Sequence, residues 1–203
     1  MKDLKLFFQD YVAQPLGQEK VYAVFLPLIW QDDQWQILYE LRSQTISQPG
    51  EVSFPGGRVE EGESFQAAAI RETVEEINVA ESAVEIWGEM DYIVYQERTI
   101  RCFVGQLKVL DWQSVRPNEE VARLFTVPVQ ALQDNPPVYH TLEAMIKTDS
   151  AFPFERITGG ANYQFSHHNR LIPFYEDLPE NIWGMTAQLT HRFVSLWSQT
   201  EGK

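Results

Sequence analysis

The chain has 203 residues, of which 44% are hydrophobic and 22% are charged, a composition typical of a globular protein with a sizeable core. Its formal net charge of -13 argues against binding to a nucleic-acid backbone, which requires a basic surface. The single cysteine excludes an internal disulfide framework, and no apolar run approaches the roughly 20 residues that span a bilayer. Since the N-terminal segment also lacks the pattern of a secretory signal, these features predict a cytoplasmic protein without a membrane or nucleic-acid partner.

Strands and helices are mixed along the predicted chain. In chain order the predictions are helix 3–13, strands 21–30 and 35–43, a loop over 48–63 with a short strand around 52–54, helix 64–77, strands 84–94, 99–110 and 122–127, and helices 128–133, 138–147 and 182–199. Because no regular βαβ alternation is present, the pattern predicts an α+β fold, an α/β/α sandwich with a mixed sheet. We expect a single domain over residues 1–203, with the N-terminal and C-terminal helices packed on it.

The helix predicted over 64–77 carries three glutamates, Glu72, Glu75 and Glu76, and Ser64 is placed to cap its N-terminus. On a helical wheel the opposite, apolar face comprises Ala67, Ile70, Val74 and Ile77. Like charges three or four residues apart cost roughly 0.2–0.5 kcal/mol per pair, and acidic groups near a helix C-terminus oppose the helix dipole. The alternatives are a solvated acidic face and a site for Mg²⁺ or Mn²⁺, which prefer carboxylate oxygens.

The loop before this helix contains two glycines, Gly56 and Gly57, after a proline. Such backbone turns tightly and approaches a ligand closely, so Gly56 is a candidate substrate contact and the carbonyls of this loop are candidate metal ligands. Glu63 and Arg71 bracket the first two turns of the helix, and a pair between them would hold loop and helix together.

The spacing of these residues resembles the Nudix box of the Nudix hydrolases, over residues 57–79. Gly57 is followed after five residues by Glu63, and after seven more by the run 71–79, RETVEEINV. One position departs, because the family usually has Gly where this chain has Asn78. That position ends the helix with a positive φ, for which Asn is the next-best residue.

The resemblance implies a Nudix-type α/β/α sandwich, extended by the C-terminal helix, that hydrolyses a nucleoside diphosphate linked to another moiety. It implies Glu72 and Glu76 as the principal metal ligands, with Glu75 in the same cluster and the Gly57 carbonyl completing the site. Glu63 and Arg71 would form the supporting salt bridge of the box. The partner would be a small nucleotide substrate, and a homodimer is compatible with the family.

A second resemblance, to the coenzyme A pyrophosphatase subfamily, extends beyond the box. It rests on Leu38, on Arg42-Ser43 and on residues 49–57, PGEVSFPGG, together with residues 182–187, IWGMTA. It implies coenzyme A or acyl-coenzyme A as the substrate, giving 4′-phosphopantetheine, or its acyl form, and adenosine 3′,5′-bisphosphate. The signature often carries a second arginine where this chain reads residues 44–47, QTIS. The alternatives are an ADP-ribose or nucleotide-sugar pyrophosphatase and a catalytically silent Nudix-fold binding module, although such a module would be expected to lack box glutamates.

Several carboxylates are candidates for the general base that takes a proton from the attacking water. Glu72 lies within the box, and Glu119 and Glu120 lie in the loop before the strand at 122–127. Glu97, in the turn between two predicted strands, is a third location.

Three arginines, Arg42, Arg98 and Arg101, are candidates for gripping phosphate oxygens, and each could equally pair with a surface carboxylate. Arg42 lies within the subfamily signature. His167 and His168 are adjacent, so their side chains point apart, and they are interpreted as loop residues.

Overall fold

The computed structural model describes residues 4–12, 20–143, 151–163, 165 and 169–201. The chain divides into two compact units, residues 1–129 and residues 130–203. A single domain over residues 1–203 therefore stays a prediction. Within the described residues, no helix is long and apolar enough to cross a membrane.

The predicted elements are largely present, with shifts of a few residues at their ends. The helices are α1 (Leu4–Asp10), α2 (Phe65–Ile77), α3 (Val129–Asp134) and α4 (Gly184–Glu201). The strands are β1 (Lys20–Gln31), β2 (Gln34–Arg42), β3 (Val52–Ser53), β4 (Gly56–Arg58), β5 (Val84–Tyr95), β6 (Arg98–Leu107), β7 (Val121–Pro128), β8 (Val138–Leu142) and β9 (Arg170–Phe174). None of the α1 residues is buried, and its packing onto the domain stays a prediction.

The first unit is built on a mixed sheet whose main path is β3-β2-β1-β6-β5, with β4 added to β1 and β7 to β2. β1 runs parallel to β6 and antiparallel to β2 and β4. This mixed sheet, with helices and a long C-terminal helix, confirms the predicted α+β class.

Helix α2 packs on this sheet through small and apolar residues. Ser64 caps its N-terminus, accepting a hydrogen bond of 3.1 Å from the Ala67 backbone N–H, and Asn78 ends it in the left-handed conformation with φ 59°. Both caps were predicted. The buried cluster that joins helix and sheet consists of Ala23, Phe25, Ile29, Leu38, Ala68, Ala69, Ile77, Phe103 and Leu107. Cys102 is fully buried in β6.

The predicted helix at 138–147 is wrong in its described part, which is strand β8. β8 pairs antiparallel with β9, from Val138 opposite Phe174 to Leu142 opposite Arg170. β-branched and aromatic residues favour a strand once a partner strand supplies hydrogen bonds, and this partner lies about thirty residues further along the chain. The predicted short helix before it is confirmed as α3.

Candidate active site

The buried face of α2 differs from the one predicted from the apolar residues. Ala67 is exposed and Ile70 and Val74 are only half-buried, whereas the buried residues are Ala68, Ala69, Thr73, Glu76 and Ile77. The two small alanines allow the helix to approach the sheet closely. The buried Thr73 hydroxyl donates a hydrogen bond to the Ala69 carbonyl at 2.6 Å. The three glutamates therefore do not share one face opposite the buried one, as the helical wheel had predicted, because Glu76 is buried.

Glu76 is held by the backbone of the glycine loop. It is 4% exposed, and its Oε2 accepts a hydrogen bond of 2.7 Å from the Gly56 N–H. Gly56 has φ 151°, and a Cβ there would overlap the Ala23 carbonyl and Val24 on β1. Gly56 is thus required by the close approach of two strands, and its N–H is committed to Glu76.

Glu72 lies directly over Gly57. A Cβ at residue 57 would overlap the Glu72 carboxylate, so the side chain fits only because this residue is glycine. A cavity of about 570 Å³ beside it is lined by Arg58, Val59, Glu60, Glu61 and Glu72. Glu72 therefore lies at the boundary between the buried backbone and solvent.

Arg71 organises the outer side of the cluster. Its guanidinium donates to Glu63 and Glu72, both at 2.9 Å, and to Glu75 at 3.4 Å, and also to the Arg58 carbonyl at 3.2 Å. The hydrogen bond from Arg71 lowers the pKa of Glu63, and the Glu63 carboxylate in turn raises the pKa of Arg71. The pair between Glu63 and Arg71 is present, and Glu75 lies on the exposed side of the helix.

Sequence reasoning missed a further carboxylate, Glu40, near the C-terminal end of β2. It is 1% exposed, and its Oε1 accepts a hydrogen bond of 2.9 Å from the Ser53 hydroxyl. Its Oε2 is also buried and has no hydrogen-bond partner in the described part of the chain. The available signal was a charged residue within an apolar run, since Glu40 follows three buried residues, Ile37, Leu38 and Tyr39.

Burial and mutual repulsion disfavour the charged forms of these carboxylates. Burial, followed by the charge of Glu40, raises the pKa of Glu76. Burial likewise raises the pKa of Glu40, and the Ser53 hydrogen bond and the Arg42 charge oppose it only partly. Burial also raises the pKa of Glu72 against the hydrogen bond from Arg71. The three carboxylates therefore share a site in which positive charge is deficient.

The loop before β7 is fastened to this site by its backbone. The Asn118 N–H donates to the Glu76 carbonyl at 2.8 Å, and the Ser43 N–H donates to the Glu120 carbonyl at 2.8 Å. The Glu120 side chain is exposed, and its charge raises the pKa of both Glu40 and Glu72. Of the predicted bases outside the box, Glu120 is therefore the one within electrostatic range of the cluster.

The other two base candidates have different surroundings. Glu119 is exposed in the same loop as Glu120. Glu97 lies in the turn between β5 and β6, where its carbonyl accepts the Lys20 N–H at 2.7 Å. Their roles stay predictions.

The three predicted phosphate-binding arginines have separate environments. Arg42 donates to the Ser47 carbonyl at 2.9 Å, and its charge lowers the pKa of both Glu40 and Glu76. Arg98 lies over the Tyr22 ring at 6.0 Å. Of these, only Arg42 is thereby placed beside the buried carboxylates.

Arg101 is engaged elsewhere. It makes two hydrogen bonds to the Glu89 carboxylate, one of them 2.9 Å from Nη2 to Oε2, and it lies 4.8 Å from the ring centres of Phe65 and Tyr92. Phosphate binding by Arg42, Arg98 and Arg101 stays a prediction.

The donor chemistry of the site fits a hard divalent cation. Glu40, Glu72 and Glu76 offer carboxylate oxygens, which Mg²⁺ and Mn²⁺ prefer, and the buried Oε2 of Glu40 has no hydrogen-bond partner among the described residues. No three His, Cys, Asp or Glu side chains of the described residues already form a ligand cage. Since Glu72 is bonded to Arg71 and Glu76 to Gly56, a cation would have to draw these oxygens together. His167 and His168 lie outside the described residues.

The box residues, their spacing and the sheet agree with comparisons to known proteins. The family model described as NUDIX domain matches residues 20–147. The chain belongs to the Nudix family. It is similar to Nudix hydrolase 3 of Caenorhabditis elegans, with 27% identity over 86% of this chain and 72% of that protein. It is also similar to mitochondrial coenzyme A diphosphatase NUDT8 of Homo sapiens, with 30% identity over 86% of this chain and 68% of that protein.

The fold agrees with a solved Nudix structure. A MutT/nudix family protein from Enterococcus faecalis superposes over 96% of this chain and 68% of that one, with a TM-score of 0.52 and 11% identity. The predicted family, enzyme class and fold are thus confirmed: the protein is a Nudix pyrophosphatase. Enzymes of this family generally use divalent metal ions and act on small nucleotide substrates.

Proposed function

We propose that this Nudix hydrolase is a coenzyme A pyrophosphatase. It would cleave coenzyme A or acyl-coenzyme A to 4′-phosphopantetheine, or its acyl form, and adenosine 3′,5′-bisphosphate with Mg²⁺ or Mn²⁺. The observation that carries the proposal is the position of the segment resembling the subfamily signature. In this segment the Arg42 charge acts on Glu40, and the Ser53 hydroxyl donates a hydrogen bond to Glu40. The Gly56 N–H donates a hydrogen bond to Glu76. The similarity to a protein named as a coenzyme A diphosphatase supports the same substrate.

Hydrolysis of a pyrophosphate bond adds negative charge to oxygens that are already anionic. A bound Mg²⁺ or Mn²⁺ would screen that charge and lower the pKa of a water molecule. In this chain Glu72 and Glu76, with the Gly57 carbonyl, would hold the ion, and Arg71 would keep Glu72 oriented by its 2.9 Å hydrogen bond. Glu75 has a more peripheral place, since it is exposed and paired with Arg71.

The reaction forms a bond from the water oxygen to one phosphorus and breaks the bond from that phosphorus to the bridging oxygen. The bridging oxygen leaves with the bonding electrons, and a carboxylate takes a proton from the water. Glu120 is the base we favour, because it is exposed yet acts electrostatically on Glu72. Glu119 and Glu72 are the alternatives. Arg42 would bind a substrate phosphate from the side of β2.

The test is a substrate panel with product identification by mass spectrometry. Purified protein with Mg²⁺ or Mn²⁺ is given coenzyme A, acetyl-coenzyme A, ADP-ribose and a nucleotide sugar. We expect 4′-phosphopantetheine, or its acetyl form, and adenosine 3′,5′-bisphosphate as the main products. Cleavage of ADP-ribose or the nucleotide sugar without coenzyme A would overturn the substrate assignment, and failure to cleave any of the four would favour a binding module. A cytoplasmic location and a homodimer stay predictions.

A further inference from the structure

We infer that Glu40, which lies outside the Nudix box, is a ligand of the divalent cation and contributes its Oε2 from the sheet side of the site. The inference rests on the proposed function, since it assigns a further ligand to the same metal centre. It makes the ion a link between strand β2 and helix α2.

The first observation is the unequal satisfaction of the two Glu40 oxygens. Oε1 is fixed by the Ser53 hydroxyl at 2.9 Å, and Ser53 lies directly opposite Glu40 in the pairing of β2 with β3. Oε2 is buried without a hydrogen-bond partner in the described residues. A buried carboxylate oxygen without a partner costs free energy. The Ser53 hydrogen bond therefore holds the Glu40 side chain in a position where one of its two oxygens lacks a partner.

The second observation is what surrounds this side chain. The charges of Glu72 and Glu120 both act on Glu40, and the charge of Glu40 acts on Glu76. Arg42 is the opposing charge, but its guanidinium donates to the Ser47 carbonyl and hydroxyl at 2.9 and 3.4 Å. The side chain of Glu40 is therefore within electrostatic range of the proposed metal ligands and of the favoured base.

A dication would complete this arrangement more fully than a proton. A proton neutralises a single carboxylate, whereas one hard dication is attracted by carboxylates on both elements at once. The box glutamates approach from α2, and Glu40 approaches from β2.

The experiment measures Mn²⁺ binding directly, independent of turnover. Free Mn²⁺ is titrated by electron paramagnetic resonance in the wild-type protein, Glu40→Gln, Glu76→Gln and the matched control Glu81→Gln. Glu81 is an exposed glutamate in the short turn after α2, so its variant removes the same charge away from the site. Glutamine at position 40 keeps an oxygen to accept the Ser53 bond. We expect Glu40→Gln to weaken Mn²⁺ binding about tenfold or more and to reduce the rise in Tm that Mn²⁺ produces, while Glu81→Gln matches the wild type.

The outcomes separate this inference from the proposed function. If Glu76→Gln loses Mn²⁺ binding while Glu40→Gln matches Glu81→Gln, the inference is overturned and the box site stands. If the wild type binds no Mn²⁺, or Glu76→Gln binds it as the wild type does, the proposed metal centre itself fails. Ser53→Ala provides a second variant that leaves the charge of Glu40 unchanged; it should also weaken Mn²⁺ binding, and unaltered binding in a folded Ser53→Ala protein would count against the inference.

Discussion

Glu89 and Glu40 are both glutamates on strands of the same sheet, but their electrostatic surroundings are opposite. Glu89 on β5 receives two hydrogen bonds from Arg101 on β6, which lower its pKa. Glu40 on β2 is buried, receives one hydrogen bond from a hydroxyl, and has a raised pKa. The first carboxylate has a complete set of partners within the protein, and the second has one oxygen without any among the described residues.

The difference in partners between Glu89 and Glu40 distinguishes a structural carboxylate from a proposed functional one in a chain that is acidic overall. The chain has 29 acidic and 16 Lys and Arg residues, so many carboxylates lack an arginine, and most of these can rely on water. Glu40 and Glu76 cannot, because they are buried. Buried carboxylates whose charge the protein compensates only in part are the ones that an external cation would stabilise most.

Replacement of Glu76 by glutamine should have the largest effect. It preserves size and removes the charge that would bind the ion, so we expect kcat/KM for pyrophosphate hydrolysis to fall by about 100-fold or more, beyond the 10–100-fold cost of losing an outer partner of a metal site. Glu75→Gln is the matched control, since Glu75 is exposed and paired with Arg71, and it should lose less. Full metal-dependent activity in Glu76→Gln would show that the cluster is wrongly assigned.

Substitution of Gly57 should lower activity, whereas substitution of the adjacent Gly56 should lower stability. Gly57→Ala pushes a Cβ against the Glu72 carboxylate, the mobile end of a side chain, so we expect a folded protein with activity reduced about 10–100-fold. Gly56→Ala places a Cβ against the backbone of β1 at φ 151°, so we expect a loss of more than about 2 kcal/mol in the free energy of unfolding. Thermal unfolding and steady-state kinetics on both variants check these expectations. A Gly57→Ala protein with wild-type activity would contradict the placement of the Glu72 carboxylate against Gly57.

Substitutions of Arg42 and Arg101 should differ in their effect on substrate binding. Arg42 lies beside the buried carboxylates, so Arg42→Gln should raise KM for coenzyme A about tenfold, the value of one charge-assisted hydrogen bond. Arg101 is already bonded to Glu89 and lies against two rings, so Arg101→Gln should leave KM within about twofold, because loss of such a pair affects mainly stability. A larger rise in KM for Arg101→Gln than for Arg42→Gln would reverse the assignment.

The sequence predicted those parts of the site that are encoded locally. The caps Ser64 and Asn78 and the pair of Glu63 with Arg71 depend on residues within one segment, and all are present. The buried face of α2 was misjudged because the hydrophobicity of single residues does not report the close approach that Ala68 and Ala69 permit.

Long-range pairing accounts for the remaining differences. Glu40 receives its Ser53 hydrogen bond only because β2 pairs with β3 and places Ser53 opposite it, and a sequence pattern does not specify that pairing. Strand β8 depends in the same way on β9. Features that depend on contacts between distant segments were therefore the ones that sequence analysis did not predict.

The smallest expected effect, and the one that compares the two regions most directly, is the pH dependence of stability in cation-free buffer. The pKa values of Glu40 and Glu76 are raised above 4.5 in the folded protein, so the folded state binds more protons than the unfolded state, and the stability they contribute declines as the pH rises above 4.5. The pKa of Glu89 is lowered from 4.5, so the stability that Glu89 contributes is present above that pH and lost as the pH falls. This contribution is below about 1 kcal/mol for so exposed a pair.

Urea unfolding across pH in EDTA should therefore show that Glu76→Gln reduces the decline in stability at high pH, whereas Glu89→Gln reduces the loss of stability at low pH. Saturating Mg²⁺ should remove the high-pH decline in the wild type, because the ion then replaces the proton as the partner of the buried carboxylates. A wild-type protein whose stability in EDTA rose from pH 5 to pH 9, with the same profile in Glu76→Gln, would show that these carboxylates are satisfied within the protein, as Glu89 is.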